Sequence, residues 1–301
     1  MRSAAASRAA LISAFAGAVV VSSLSSAGIH AQAGARERTL FVSAVDSGGE
    51  PVEGLGPTDF IITEDGRRRE ILRVSRASEP MDIALLADNS AAAFRLVPSL
   101  RDGLKRFVAA MGDGHQIALI GLADRPTIVV DYTSNRARLD EGIGRLFAME
   151  SSGMTLLDAL VETSAGLRRR EATRAVVIPI ITTGTEFTNR YGRDVADSLL
   201  QAGVALHAVV IGVLGFSSVP ERERAVVLEA GARETGGQHV TLLIESAVEP
   251  GLQKLARQLG SQYKIVYSRP ESLIPPETTA VTSGRAGVTM RGTPARGQAG
   301  A

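Results

Sequence analysis

From position 81 onward, runs of unbroken apolar residues alternate with longer segments whose apolar residues recur at helical spacing, and few architectures accept that alternation. The apolar runs fall at 81–87, 116–123, 127–131, 175–181, 205–211 and 239–244. Ile83-Ala84-Leu85-Leu86 and Val176-Val177-Ile178-Pro179-Ile180-Ile181 show no polar alternation, the pattern of strands covered by helices on both faces. Pro179 is a blemish, because proline withholds a ladder donor. Between the runs, Leu100, Leu104, Phe107, Val108 and Met111 share one helical face, as do Leu156, Leu160 and Leu167, and then Leu252, Leu255 and Leu259. The pattern predicts an α/β fold over 81–261: a doubly wound, mostly parallel sheet whose ligand site lies at the carboxyl ends of its strands.

The flanks follow a different rule. Over 34–80 the residues Leu40-Phe41-Val42, Phe60-Ile61-Ile62-Thr63 and Ile71-Leu72-Arg73-Val74 are separated by Gly48-Gly49 and Asp65-Gly66, which read as hairpin turns between short strands. These strands are too few to stand alone. A second β segment, 262–292, opens on the alternating run Gln-Tyr-Lys-Ile-Val-Tyr-Ser at 262–268 and offers another strand at 287–291. The two segments are expected to pair into one small β satellite domain. From Thr293 to Ala301 a disordered tail is expected.

Residues 1–33 have the order of a secretory signal peptide: Arg2 and Arg8, an Ala/Val/Leu-rich run from Ala9 to Val21, then Ala31-Gln32-Ala33. The apolar run is shorter than the roughly 20 residues a spanning helix needs, so export to a periplasmic or secreted location is expected, with no membrane span after cleavage. The 33 basic and 32 acidic residues nearly cancel, which gives no bulk attraction to nucleic acid or anionic lipid. Aromatic residues make up 4% and tryptophan is absent, so base stacking has little to work with. The runs Arg67-Arg68-Arg69 and Arg168-Arg169-Arg170, with Arg174, read as a charged hairpin shoulder and a solvated helix end. Cysteine is absent, which removes disulfides, thiolate metal sites and a thiol nucleophile.

The first apolar run ends in Asp88-Asn89-Ser90-Ala91-Ala92, placing a carboxylate and a hydroxyl at the rim of the sheet, where hard oxygen donors suit Mg²⁺ or Mn²⁺. An Asp or Ser capping the next helix is the commoner reason to find them there. Two later segments change the balance: Ser151-Ser152-Gly153-Met154-Thr155 opens a helix, and Ile180-Ile181-Thr182-Thr183-Gly184 closes a strand. In that order the segments resemble the metal-ion-dependent adhesion site of von Willebrand factor A (vWA) domains, whose motifs are Asp-x-Ser-x-Ser, a ligand threonine and Thr-Asp-Gly. The flanks are similar to those of the VWFA-related family described from Acidobacteria, on Val45-Asp46-Ser47-Gly48-Gly49-Glu50-Pro51-Val52, Thr58-Asp59-Phe60, Glu64-Asp65-Gly66 and Gln262-Tyr263 through Pro270. The resemblance implies an interaction or adhesion module with Asp88, Ser90 and Thr155 as metal ligands.

Two positions depart from that pattern: Ala92 stands where a second serine belongs, and Thr183 where an aspartate belongs. The remaining set of one carboxylate and two neutral oxygens should hold Mg²⁺ or Mn²⁺ weakly or not at all. The expectation is therefore a degenerate site, no required cofactor, and metal-independent binding of a protein or glycan partner through the rim after Asp88, Thr155 and Ile181. Two alternatives share the fold: a structural scaffold in an envelope assembly, and metal-assisted adhesion completed by a partner's carboxylate. An enzyme is not expected. His30, His115, His207 and His239 are scattered, and no His-Glu-x-x-His, Gly-x-Ser-x-Gly or phosphate-loop motif occurs, leaving only a hydrolase built on Asp88 and Ser90 as a remote reading.

Overall fold

The computed structural model describes residues 35–270, 274 and 276–295. The signal peptide expected at 1–33 lies outside the described residues, as do positions 296–301 of the expected tail. At the centre is a six-stranded sheet in the order β10-β9-β8-β5-β6-β7. Its members are β5 (Met81–Ala87), β6 (Gln116–Gly121), β7 (Thr127–Thr133), β8 (Arg174–Ile181), β9 (Val204–Ile211) and β10 (Gln238–Leu242). All neighbours run parallel except β7, which pairs antiparallel with β6 at the edge.

Side-chain alternation along β5 builds two cores at once. Met81, Ile83, Leu85 and Ala87 join helices α1 (Val97–Met111), α2 (Arg136–Gly144) and α7 (Val248–Gly260) on one face. On the other face, Ala84 and Leu86 join α3 (Leu156–Arg169), α4 (Gly192–Ala202) and the helical stretch α5 (Val219–Val226) to α6 (Ala232–Glu234). This double coverage is why β5 and β8 read as continuous apolar runs. Pro179 leaves the mark expected of it: pairing of β8 with β9 holds at Val177↔Leu206, lapses for two residues, and resumes at Ile180↔Val209.

The terminal segments do pair. In a four-stranded antiparallel sheet ordered β13-β1-β11-β4, β1 (Ala35–Val45) lies between β11 (Tyr263–Pro270) and β13 (Thr289–Pro294), and β4 (Ile71–Arg76) forms the edge. A three-stranded sheet, β12-β2-β3, combines β2 (Phe60–Glu64) and β3 (Arg67–Arg69) with β12 (Thr279–Ser283). The turn between β2 and β3 places Asp65 and Gly66 at φ 47° and 76°, as a two-residue Asp-Gly hairpin requires. Leu40, Val42, Phe60, Ile62, Tyr263, Ile265 and Tyr267 make the satellite's own core, in which the Phe60 and Tyr263 rings meet edge to face at 5.3 Å.

Three expectations need correction. Thr293 does not begin a disordered tail: Thr293 and Pro294 belong to β13, the Thr293 hydroxyl donates to the Thr235 carbonyl at 2.8 Å, and the Ala295 amide donates to the Thr39 carbonyl. Pairing with β1 satisfies backbone groups that the polar sequence gave no reason to order. The run 239–244 ends as a strand at Leu242, and Leu243 and Ile244 are exposed. Arg174 is not a solvated helix-end charge. It is buried at the base of β8, donating to the Glu79 carbonyl (2.8 Å) and Gln262 Oε1 (2.7 Å) with its guanidinium over the Phe41 ring, so it ties the satellite to the central sheet. A glycine pair permits the same junction elsewhere. A Cβ on Gly237 would lie 1.8 Å from the Leu206 carbonyl oxygen, and one on Gly236, at φ 76°, would lie 2.0 Å from that of Gly292.

Candidate functional site

Four loops at the carboxyl end of the parallel strands are stitched together by backbone and side-chain bonds. Asn89 Oδ1 accepts from the amides of Leu122 (2.9 Å) and Ala123 (3.0 Å), and its carbonyl accepts from Met149. The Ala91 amide meets Ser152, and Met154 bridges to both Ala123 and Glu186. Asp88, Ser90, Thr155 and Thr183 therefore lie on adjoining loops at one end of the sheet, as the spacing of their motifs predicts. Gly184 completes the crowding: a Cβ there would approach Ala92 Cβ at 2.7 Å and Ser90 Oγ at 3.5 Å.

Within this frame each of these side chains has its own surroundings. Asp88 is fully buried, and its carboxylate is already engaged. Its Oδ1 accepts the Ser90 amide at 2.9 Å, and its Oδ2 accepts the Thr182 amide at 3.0 Å and the Thr182 hydroxyl at 2.5 Å. Thr182, not Thr183, is the threonine that serves Asp88. Thr183 is exposed and its side chain faces Gly212 on the neighbouring loop. The Thr155 hydroxyl donates to the Leu122 carbonyl at 2.9 Å, whereas Ser90 Oγ is buried without a protein partner.

Two further charged groups lie buried in the same region. Glu186 sits under the first turn of α3, where its Oε1 accepts the Thr188 hydroxyl (2.6 Å) and, at 3.4 Å, the Leu157 amide, while Oε2 has no partner. Burial pushes its carboxyl up to about 7 despite these bonds and the nearby Arg224. Arg224, from α5, is completely buried. Its Nη1 donates to the Gly184 carbonyl at 2.6 Å, Nε and Nη2 have no acceptor among the described residues, and its charge is felt by Glu186, Glu221 and Asp88 without an ion-pair contact to any of them. Burial lowers its pKa and the three carboxylates oppose that shift.

This donor set does not fit a dedicated Mg²⁺ shell. Mg²⁺ demands near-octahedral oxygens at about 2.0–2.1 Å. Here the carboxylate oxygens of Asp88 are held by three protein donors, Ala92 offers nothing, Thr183 is turned aside, and the buried Arg224 guanidinium is bonded to the Gly184 carbonyl of the same loop. Nor does Ser90 resemble a nucleophile. Asp88 receives its backbone amide rather than its hydroxyl, so no base is within hydrogen-bond reach of Oγ.

Around this closed polar centre the surface is apolar. Phe94, Phe147, Phe187, Tyr191, Val213 and Phe216, on loops from the same rim, are between 54% and 76% exposed. Phe187 lies directly against Gly153, where a Cβ would come within 2.3 Å of its ring. The other exposed large apolar side chains among the described residues are Leu72, Ile128, Met149, Val219, Val226, Leu243, Ile244 and Ile274. Composition and periodicity could not have found this ring, because isolated Phe and Val residues in loops carry no pattern. Nor did they single out Asn89, Thr182 or Arg224.

No protein-family model and no curated protein matches the sequence. Solved structures do. A von Willebrand factor type A protein from Catenulispora acidiphila superposes with a TM-score of 0.51 at 12% identity, covering 87% of this chain and 74% of that one. Proximal thread matrix protein 1 from the mussel byssus, with a zinc-occupied MIDAS motif, gives a TM-score of 0.49 at 16% identity, over 65% of this chain and 49% of that one. The VWA domain of SpRpn10 gives 0.43 at 13% identity, over 56% and 93%. Among the described residues, no helix is long and apolar enough to cross a membrane. With its six-stranded, mostly parallel sheet between two helical layers, the chain has a von Willebrand factor type A fold.

Proposed function

We propose that this protein is an exported, non-catalytic interaction module that grips a protein partner with the apolar rim at the carboxyl end of its central sheet, without a tightly held metal. The observation that carries the reading is the group of exposed aromatic and aliphatic side chains on that rim, around a centre in which the Asp88 carboxylate is held by protein donors. Several large apolar side chains exposed on the loops of one rim are the kind of surface that marks interaction sites. The vWA fold supports an interaction role, and the order of charged, apolar and small residues in 1–33 supports periplasmic or secreted residence.

The test is capture from the envelope fraction of the source organism on immobilised protein, with the bound species identified and its affinity then measured. Phe187→Asp combined with Phe147→Asp is expected to weaken binding by roughly 30-fold or more, the loss associated with removing a central aromatic anchor. Chelator should leave wild-type binding unchanged. Binding that survives the double substitution would move the interface elsewhere, and binding abolished by chelator would favour metal-assisted adhesion.

A further inference from the structure

We infer that the guanidinium of Arg224 is the resident cation of this site, filling the electrostatic role of a divalent ion and excluding one. The inference rests on the metal-free reading above and gives it a cause. A completely buried arginine is costly unless its charge is needed, and this one makes a single hydrogen bond to protein, from Nη1 to the Gly184 carbonyl at 2.6 Å. Gly184 belongs to the loop that crowds Ser90 and Ala92, so the guanidinium is anchored on the very segment that would supply the Thr-Asp-Gly ligand.

The chain builds this placement deliberately. Ser218 and Glu221 form a reciprocal cap that fixes the start of α5, with the Ser218 hydroxyl accepting the Glu221 amide at 3.3 Å and the Glu221 carboxylate accepting the amides of Ser217 and Ser218. Glu223 accepts the Gly192 amide at 2.6 Å, locking α5 against the start of α4. Directly after Arg224 the helix widens into a π-type segment, Val227–Gly231, a distortion frequent at functional sites. Arg224 is thereby held in the interior with Nη1 on the Gly184 carbonyl, where its charge acts on Asp88 and Glu186 without an ion-pair contact, while Arg222, two residues earlier, stays at the surface and donates to the Phe216 carbonyl.

Without a cation, Asp88 and Glu186 would be buried carboxylates with no opposing charge. Arginine cannot lose its proton under ordinary conditions, so the positive charge is permanent. A divalent ion entering beside it would meet repulsion that the low local dielectric barely screens. Replacing Ala92 and Thr183 by the missing ligands should therefore not be enough to restore metal binding.

The experiment is calorimetric titration of Mn²⁺ into the mature protein and its variants, with thermal unfolding in chelator and in Mn²⁺ run in parallel. Wild type and Ala92→Ser/Thr183→Asp, both keeping Arg224, are expected to show no saturable Mn²⁺ binding and no change in Tm with Mn²⁺. Adding Arg224→Met to the double variant is expected to create saturable binding, tighter by on the order of a hundredfold, and a Tm that rises with Mn²⁺. If that triple variant does not fold in chelator, it should refold only when Mn²⁺ is present. Arg224→Lys, which keeps the charge, should fold and remain insensitive to Mn²⁺. Saturable Mn²⁺ binding by wild type, by the double variant or by Arg224→Lys would overturn the inference, as would a triple variant that gains none. Mn²⁺ binding by wild type would also overturn the metal-free reading, whereas binding by the double variant or Arg224→Lys, or a triple variant that gains none, would overturn this inference alone.

Discussion

Asp88→Ala is expected to lower the stability of the fold by about 3–5 kcal/mol, and to do so equally in chelator and in excess Mg²⁺. The reason is structural. The Asp88 carboxylate lies at the end of a central strand with no exposure, and it collects the Ser90 amide, the Thr182 amide and the Thr182 hydroxyl. Truncation strands those donors in a region closed to water and leaves Arg224 with one fewer carboxylate facing it. Each orphaned buried donor carries a penalty of about 1–3 kcal/mol. Chemical denaturation of the wild type and variant, repeated with chelator and with Mg²⁺, reads the effect directly. A stability gap that opens only when Mg²⁺ is present would show that Asp88 serves an ion rather than the loops.

Acid should expose a second buried group. His207 lies in the middle of β9, fully enclosed, with neither ring nitrogen hydrogen-bonded, and burial assisted by the charge of Arg291 pushes its imidazole down to about 3. The unfolded chain protonates near the ordinary histidine value of about 6.5. Between those values the unfolded state binds more protons than the folded one. The stability attached to keeping His207 neutral is therefore complete above about pH 6.5 and is lost as pH falls toward 3. The loss is about 2 kcal/mol by pH 5 and about 4 kcal/mol by pH 3. Glu186 works in the opposite direction between roughly pH 4.5 and 7, because its carboxyl is pushed up rather than down. The comparison that isolates the histidine is thus wild type against His207→Leu, which removes the imidazole from an apolar sheet. The variant's denaturation midpoint should fall less steeply with acid below pH 6.5. Parallel pH profiles for the two proteins would mean that His207 finds a partner or water in the folded state.

The contrast between what was legible and what was not follows from where the information sits. The buried strands announced themselves because a strand covered on both faces tolerates almost no polar residue, as at Ile83 to Leu86 and Val176 to Val177. The pairing of the two terminal β segments was legible from a deficit, since neither had strands enough to close a core by itself. The strand β12 was not, because Thr-Ala-Val-Thr-Ser after a proline-rich stretch has too little apolar content to show. Helix α2 was missed for the same reason, burying only Leu139, Gly142 and Ile143.

At the site, the resemblance singled out Asp88, Ser90 and Thr155, and the structure places them on adjoining loops at one end of the sheet. The resemblance could not choose between Thr182 and Thr183. The loop just past β8 makes that choice, turning Thr182 toward Asp88 and Thr183 outward. Arg224 was invisible for a different reason. In Glu221-Arg222-Glu223-Arg224 it reads as one more charge on a solvated helix face, and nothing local separates it from Arg222. Tertiary packing alone buries one and exposes the other.

The central claim is that the rim, and not a metal, makes this an interaction module. Its most direct test is site-specific photo-crosslinking of the protein in cells of its source organism, with the photoreactive residue placed at Phe187 or Phe216 on the rim and, as controls, at Asp113 or Thr173 at the opposite end of the sheet. The account predicts crosslinks to a discrete partner from the rim positions, equal in chelator and in Mg²⁺, and none from the controls. Crosslinks arising from Asp113 or Thr173 instead, or rim crosslinks that vanish in chelator, would contradict it.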